Sequence, residues 1–175
     1  MNTKHWCQMI AGVFLFFPAI NLQADEPFTD SVETAFVEGG QIEVKLSAGG
    51  HRISRSKDNM IRVSWRVADK DTHKVDARTK INGTSAVVDV DGPSNHFKTW
   101  IELPLHSDIN VRLSAGELHV ADLEGDRDIK LRAGDLNIEI GSPDNYAQVH
   151  GSLWVGDLDA GPFNANKSGL FRSLK

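Results

Sequence analysis

Three acids, Glu117, Asp135 and Asp157, each follow a glycine inside a near-repeated octet: "LSAGELHV" at 113–120, "LRAGDLNI" at 131–138 and "LWVGDLDA" at 153–160. If the octets lie on one another, these acids form one column, and His119, Asn137 and Asp159 form a second two residues on. Like charges facing each other on neighbouring strands repel. A hard cation relieves that repulsion through oxygen ligands, which makes Glu117, Asp135 and Asp157 candidate calcium ligands. The competing reading is three acids that are solvated, or that accept hydrogen bonds from turn amides. Tryptophan supplies the second candidate. Alternation puts Trp100 and Trp154 on outward faces, where an indole can stack on a sugar or anchor a protein partner, or simply cover a sheet.

Other chemistry is sparse. The histidines beyond residue 24 are His51, His73, His96, His106, His119 and His150, and none forms an H-x-x-x-H pair. The sole cysteine is Cys7, so the rest of the chain offers no thiolate ligand and no disulfide. The nucleophile elbow, the P-loop and the dinucleotide turn are all missing. No catalytic residue is assigned, no cofactor is expected, and the chain reads as a non-enzyme. His51 takes the place that Leu118 holds in its octet, which predicts a hydrogen-bonded histidine near the core.

The elements that position these residues follow from the octet itself. Leu113, Ala115, Leu118 and Val120 recur as Leu131, Ala133, Leu136 and Ile138, and a looser copy, "LSAGGHRI", starts at Leu46. Alternation runs on odd numbers before Gly116 and on even numbers after it. A slip of one residue turns a strand's apolar face outward unless the chain bends there, and glycine permits the bend. Gly49, Gly116, Gly134 and Gly156 are therefore read as corners, with Gly125 as a second corner between copies and Leu123, Ile129 and Leu131 pointing inward. Stacking such copies at strand spacing predicts an all-β fold: a short, single-stranded, right-handed β-solenoid, like a parallel β-helix, with an irregular antiparallel first half. The alternative is a β-sandwich.

Elsewhere alternation also dominates. Ile61, Val63, Trp65 and Val67 share a face. So do Ala86, Val88 and Val90, and so do Phe97, Thr99, Ile101 and Leu103. "KINGTS" at 80–85 signals a type I′ hairpin and also spells the glycosylation sequon Asn82-Gly83-Thr84. Gly141-Ser142-Pro143 marks a further turn, and "SGLFRSLK" at 168–175 reads as the start of a strand, with the last rung expected to be cut short there.

The stretch "WIELPLHSDINVRLSAGELHVADLEGDRDIKLRAGDLNIEI" at 100–140 resembles the bacterial "putative adhesin" β-solenoid family, also described as toast-rack or GIN-head-like domains. The shared features are Leu103-Pro104, Ser114-Ala115-Gly116-Glu117-Leu118, Leu123-Glu124-Gly125 and Ala133-Gly134-Asp135-Leu136. "FVEGGQIEVKLSAGGHRI" at 36–53 is similar to the family's opening. The resemblance covers most of residues 34–165. It implies an extracytoplasmic or envelope-associated domain, and it carries over no catalytic residues.

The start of the chain predicts export. Lys4 precedes an apolar run from Met9 to Ile20, and Ala24 precedes the first acid: the layout of a signal peptide cleaved after Ala24. Residues 25–33 then read as a linker and 34–175 as the domain. The apolar run is short for a membrane span, and no later segment approaches that length. The chain carries 24 acids against 19 bases, a formal charge of −5, and loss of Lys4 makes it more negative. That argues against nucleic acid or anionic lipid as partner. The expected function is a non-catalytic, adhesin-like structural or binding module of the bacterial cell envelope, periplasmic or at the surface, that meets an envelope protein or glycan. The alternatives are a periplasmic sensor or accessory domain and, less favoured, a glycan-active enzyme. Open strand edges at the terminal rungs also make self-association an expectation.

Overall fold

The octets become the C-terminal parts of three long bent strands. In the computed structural model of the chain, residues 28–139, 149–160 and 165–174 are described. The segment read as a signal peptide and the turn expected at Gly141-Ser142-Pro143 lie outside the described residues. Among the described residues, eleven strands follow in chain order: β1 (Asp30–Ala35), β2 (Gln41–Leu46), β3 (Gly49–Arg55), β4 (Met60–Arg66), β5 (Asp76–Asn82), β6 (Ser85–Asp91), β7 (Lys98–Leu103), β8 (Asp108–Val120), β9 (Arg127–Ile138), β10 (Val149–Ala160) and β11 (Ala165–Leu174). A short 3-10 helix, Asp69–Lys74, joins β4 to β5.

Strands β8, β9 and β10 are parallel neighbours in strict register: Leu113 lies beside Leu131 and Leu131 beside Leu153, while Leu118, Leu136 and Leu158 align after the corner. The octet is repeated because like residues stack on like. A β-sandwich would have put Leu113 and Leu131 on facing sheets, whereas here they share one ladder.

The rest of the sheet is mixed. The first half of β8 pairs with β2 and its second half with β3, both parallel. β2 and β3 are thus the first, looser copy, broken into two strands at Ser47 and Ala48. Each then takes a different outer neighbour: β6 beside β2, β7 beside β3. Antiparallel strands complete the two wings, β5 on β6 and β4 then β1 on β7. The two ends of this path, β1 and β5, touch each other, so the sheet curves nearly into a barrel. The first half is therefore antiparallel at its margins and parallel where it meets β8. β11 runs antiparallel to β10, so the strand expected near 168–175 forms but does not add another parallel rung. β1 begins inside the segment read as a linker, because Val32 packs on the core.

The core lines the inside of the curve as columns that cross the strands. One column runs Val88, Val44, Val111, Ile129; another runs Val90, Leu46, Leu113, Leu131, Leu153, and all of these are buried. Each such side chain contributes about 1.5–3 kcal/mol of burial. Phe97 and Ile101, Ile53 and Val120 fill the other side of the bend.

The corners work as the phase change requires. Gly116, Gly134 and Gly156 have φ of +122°, +125° and +134°, a region closed to most side chains. Each also sits against the carbonyl of the glycine on the preceding strand. A Cβ on Gly134 would lie 1.9 Å from the Gly116 oxygen, and one on Gly116 would lie 1.9 Å from the Gly49 oxygen. Gly125 makes the second corner at φ +121°, its missing Cβ leaving room for Ser107. Gly49 aligns with Gly116 but is not in the left-handed region. Its reason for being glycine is different, since a Cβ there would lie 2.9 Å from the Phe97 oxygen. The β5–β6 hairpin forms one residue later than the sequence suggested: Asn82 pairs with Ser85, and Gly83, at φ +59°, takes the first central position, where a type II′ turn requires it.

Candidate functional site

In-register stacking turns every outward position of the octet into a polar column on the surface. Of the proposed acid column, the register places Glu117 beside Asp135. On its other side, Glu117 aligns with Gly50 and, beyond that, Lys98. Glu117, Asp135 and Asp157 are all exposed. Among the described residues, no three His, Cys, Asp or Glu side chains converge closely enough to hold a metal ion. The second column, His119, Asn137 and Asp159, is also in register, and His119 Nε2 lies 3.3 Å from Glu139 Oε1.

The two tryptophans are not brought together. Trp100 lies on β7, beyond the glycine corner, and is half-buried. Phe28 meets its ring edge-on at 4.9 Å, and the Arg66 guanidinium stands 5.3 Å from its centre; both contacts cover a sheet face. Trp154 lies on β10 before the corner and is 61 % exposed, with Val155 beside it at 48 %. Parity predicts Val155 inward, like Ala115 and Ala133. The residue before the glycine instead stands on the bend, where neither arm of the strand covers it.

Trp154 borders a shallow concavity of about 850 Å³ on the outer face of β6, β2, β8, β9 and β10. Its floor is a column that the sequence reading did not single out: Lys45 beside Arg112, Arg112 beside Lys130, and Lys130 beside Ser152. The next position along each strand direction gives Ser114, Arg132 and Trp154. Each basic residue of the column stands immediately before the first leucine of its octet, as Lys45-Leu46, Arg112-Leu113 and Lys130-Leu131. Extending the repeat by one residue would have revealed it. The cations are only loosely held. Glu43 lies 3.4 Å from Lys45 and 3.8 Å from Arg112, and Asp128 lies 3.0 Å from Lys130.

Asp128 belongs to a neighbouring acidic concavity of about 750 Å³ with Glu43, Asp108 and Asp126. Asn110 Nδ2 donates to Asp128 at 3.3 Å, and His150 Nδ1 lies 3.2 Å from it. Burial works to raise this carboxyl, but hydrogen bonds and charge from Lys130 and His150 outweigh burial and hold it below the ordinary range. The outer face thus carries an acidic strip and a basic strip side by side.

Among the described residues, His51 and Arg127 are the two large polar side chains buried inside. His51 is 4 % exposed within the column of Leu118, Leu136 and Leu158. Its Nδ1 is 2.7 Å from Thr99 Oγ1 and its Nε2 is 3.0 Å from the Ser47 oxygen. Burial lowers its pKa to about 4, against a smaller upward pull from the Ser47 carbonyl. Arg127, buried where Ile109 stands on the preceding strand, was not foreseen. Its guanidinium donates to the Leu123 and Glu139 carbonyls and fastens the loop between β8 and β9 to the end of β9.

No protein-family model and no curated protein matches the chain. Among solved structures, a "putative cell adhesion protein" from Clostridium sporogenes is similar with a TM-score of 0.54 at 14 % identity, over 74 % of this chain and 70 % of that one. A "putative adhesin" from Bacteroides fragilis follows with a TM-score of 0.35 at 12 % identity, over 73 % and 62 %. A "putative lipid binding protein" from Parabacteroides distasonis follows with 0.30 at 10 %, over 73 % and 63 %. The chain spans less than two thirds of the latter two. The first likeness is one of fold, and the other two are too distant to argue from.

Proposed function

We propose that the chain is a non-catalytic, adhesin-like binding module of the bacterial cell envelope, exported to the periplasm or the surface, with a solenoid-like parallel stack as its scaffold. The observation that carries this reading is Trp154, 61 % exposed with Val155 beside it, on a strand paired along both edges and bordering a broad concavity. An aromatic residue held open to solvent on a rigid sheet suits contact with a glycan or protein. Two further points support it. The fold is shared with the "putative cell adhesion protein", and the first 24 residues read as an export signal. No helix among the described residues is long and apolar enough to cross a membrane.

The test is saturable binding of the purified chain to bacterial envelope fractions, compared with its Trp154→Ala variant. Binding that is lost in the variant while its thermal midpoint is unchanged supports the module. Glycan cleavage that is lost on substituting Glu117, Asp135 or Asp157 would make it an enzyme. Stoichiometric co-purification with one membrane protein, unaffected by Trp154→Ala, would make it an accessory domain.

A further inference from the structure

We propose that the basic column Lys45–Arg112–Lys130, with Arg132 and Trp154 beside it, binds a linear acidic polysaccharide whose sugars carry carboxylates. This deepens the binding-module reading and rests on it. Three cations stand on three adjacent strands, about 4.8 Å apart. Like charges so placed destabilise a sheet. The nearby acids offset this only in part: Asp89 stands beside Lys45 on β6 and lines the same concavity with Asp76 and Asp91, Glu43 is shared between Lys45 and Arg112, Asp128 faces Lys130, and Arg132 makes no ion pair among the described residues. All four cations are exposed.

The direction of the column selects the shape of the ligand. It runs across the strands, so an extended polyanion lying along it meets a fresh cation on each strand. Arginine takes a carboxylate in bidentate fashion. Trp154, opposite Arg132 on the next strand by the Leu153–Leu131 register, presents an apolar ring to a sugar's C–H face. Ser114 and Ser152, which also line the concavity, offer hydroxyls to sugar hydroxyls. Neighbouring charge narrows the ligand further. The acidic strip of Glu43, Asp108, Asp126 and Asp128 lies alongside, and the whole chain is at −5. A broad anionic surface such as a membrane would press against that strip, whereas a single polysaccharide chain occupies only the basic column.

The test is titration of the purified chain with fluorescently labelled polygalacturonate oligomers, alongside a neutral dextran, a single-stranded DNA of similar charge and phosphatidylglycerol vesicles. Saturable binding to polygalacturonate is expected, weakening as salt rises. It should weaken about five- to tenfold in Trp154→Ala and in Arg132→Ala, and more in Arg112→Glu. These sites are exposed, so thermal midpoints should hold. The proposal is overturned if polygalacturonate does not bind, if dextran binds as well, if DNA or vesicles bind more tightly, or if the variants bind like the parent. Should polygalacturonate fail while envelope binding persists in Arg112→Glu, this inference falls and the binding-module reading stands. Should envelope binding of the parent fail as well, both fall.

Discussion

His51 occupies a leucine's place in the core, and that makes stability depend on pH. Its ring is buried and neutral, with a folded pKa of about 4 against an ordinary value of 6.5. Between those values the unfolded chain binds the proton more readily than the folded one. This residue's contribution is therefore fully present above pH 6.5 and is lost as pH falls from 6.5 towards 4, by about 3 kcal/mol at the limit. Urea unfolding at pH 7 and pH 4.5 should show that loss in the parent. His51→Leu combined with Thr99→Val, which completes the apolar column and leaves no hydroxyl unpaired, should lose clearly less. Equal losses in both proteins would mean that other groups carry the acid sensitivity. The acids outside follow a different logic. Glu117, Asp135 and Asp157 are exposed, so water and salt screen their repulsion. Millimolar calcium should leave the thermal midpoint unchanged, and a rise abolished by Asp135→Asn would restore the calcium reading.

The long bent strand is the element on which the fold turns, and its corner tolerates glycine only. At Gly134 a methyl group meets both obstacles at once: a left-handed φ of +125° and the Gly116 carbonyl oxygen at 1.9 Å. Backbone strain of about 1–3 kcal/mol and overpacking of similar size act on a fold whose whole stability is about 5–15 kcal/mol. Gly134→Ala should therefore lose roughly 3–5 kcal/mol in urea unfolding, or fail to fold. Gly50→Ala is the control. Its φ is ordinary and its nearest obstacle is the Lys98 side chain at 3.7 Å, so a change within about 1 kcal/mol is expected. Similar losses in the two would show that the corners are not what makes these glycines necessary. The corners at Gly116 and Gly134 were legible because a one-residue skip in apolar parity leaves a written trace. Gly49 was legible as a position but not in its cause, since the carbonyl of Phe97 that excludes a side chain comes from a distant strand. The hairpin was legible as a hairpin, but its register was set by the pairing of β5 and β6 rather than by the Asn-Gly dipeptide alone.

At the scale of the whole molecule, a repeat tells which residues lie on each other but not how the remaining chain closes the sheet. The pairing of β8, β9 and β10 could be read from matched octets. The two wings could not, because β4, β5, β6 and β7 carry only plain alternation, which fits any neighbour. The same asymmetry governed what could be read of the surface: Trp154 and the three acids lie inside the octet and were singled out, while Lys45, Arg112 and Lys130 stand one residue ahead of it and were not. This architecture predicts a gradient of local stability. β8 and β9 have partners along both edges and stack their leucines into the centre of the core, whereas β1 and β5 lie at the margins of the path, with partly exposed side chains. Opening free energies range from near zero at such margins up to the global value in the centre. Amide hydrogen exchange followed by mass spectrometry should therefore find peptides from β8 and β9 slowest, and those from β1 and β5 faster by several orders of magnitude. Gly134→Ala, where it folds, should accelerate β8 and β9 most, because the corner joins them. Margins protected as strongly as β8 and β9 would mean that the contact between β1 and β5 closes the sheet into a cooperative barrel, and that the parallel stack is not the centre of its stability.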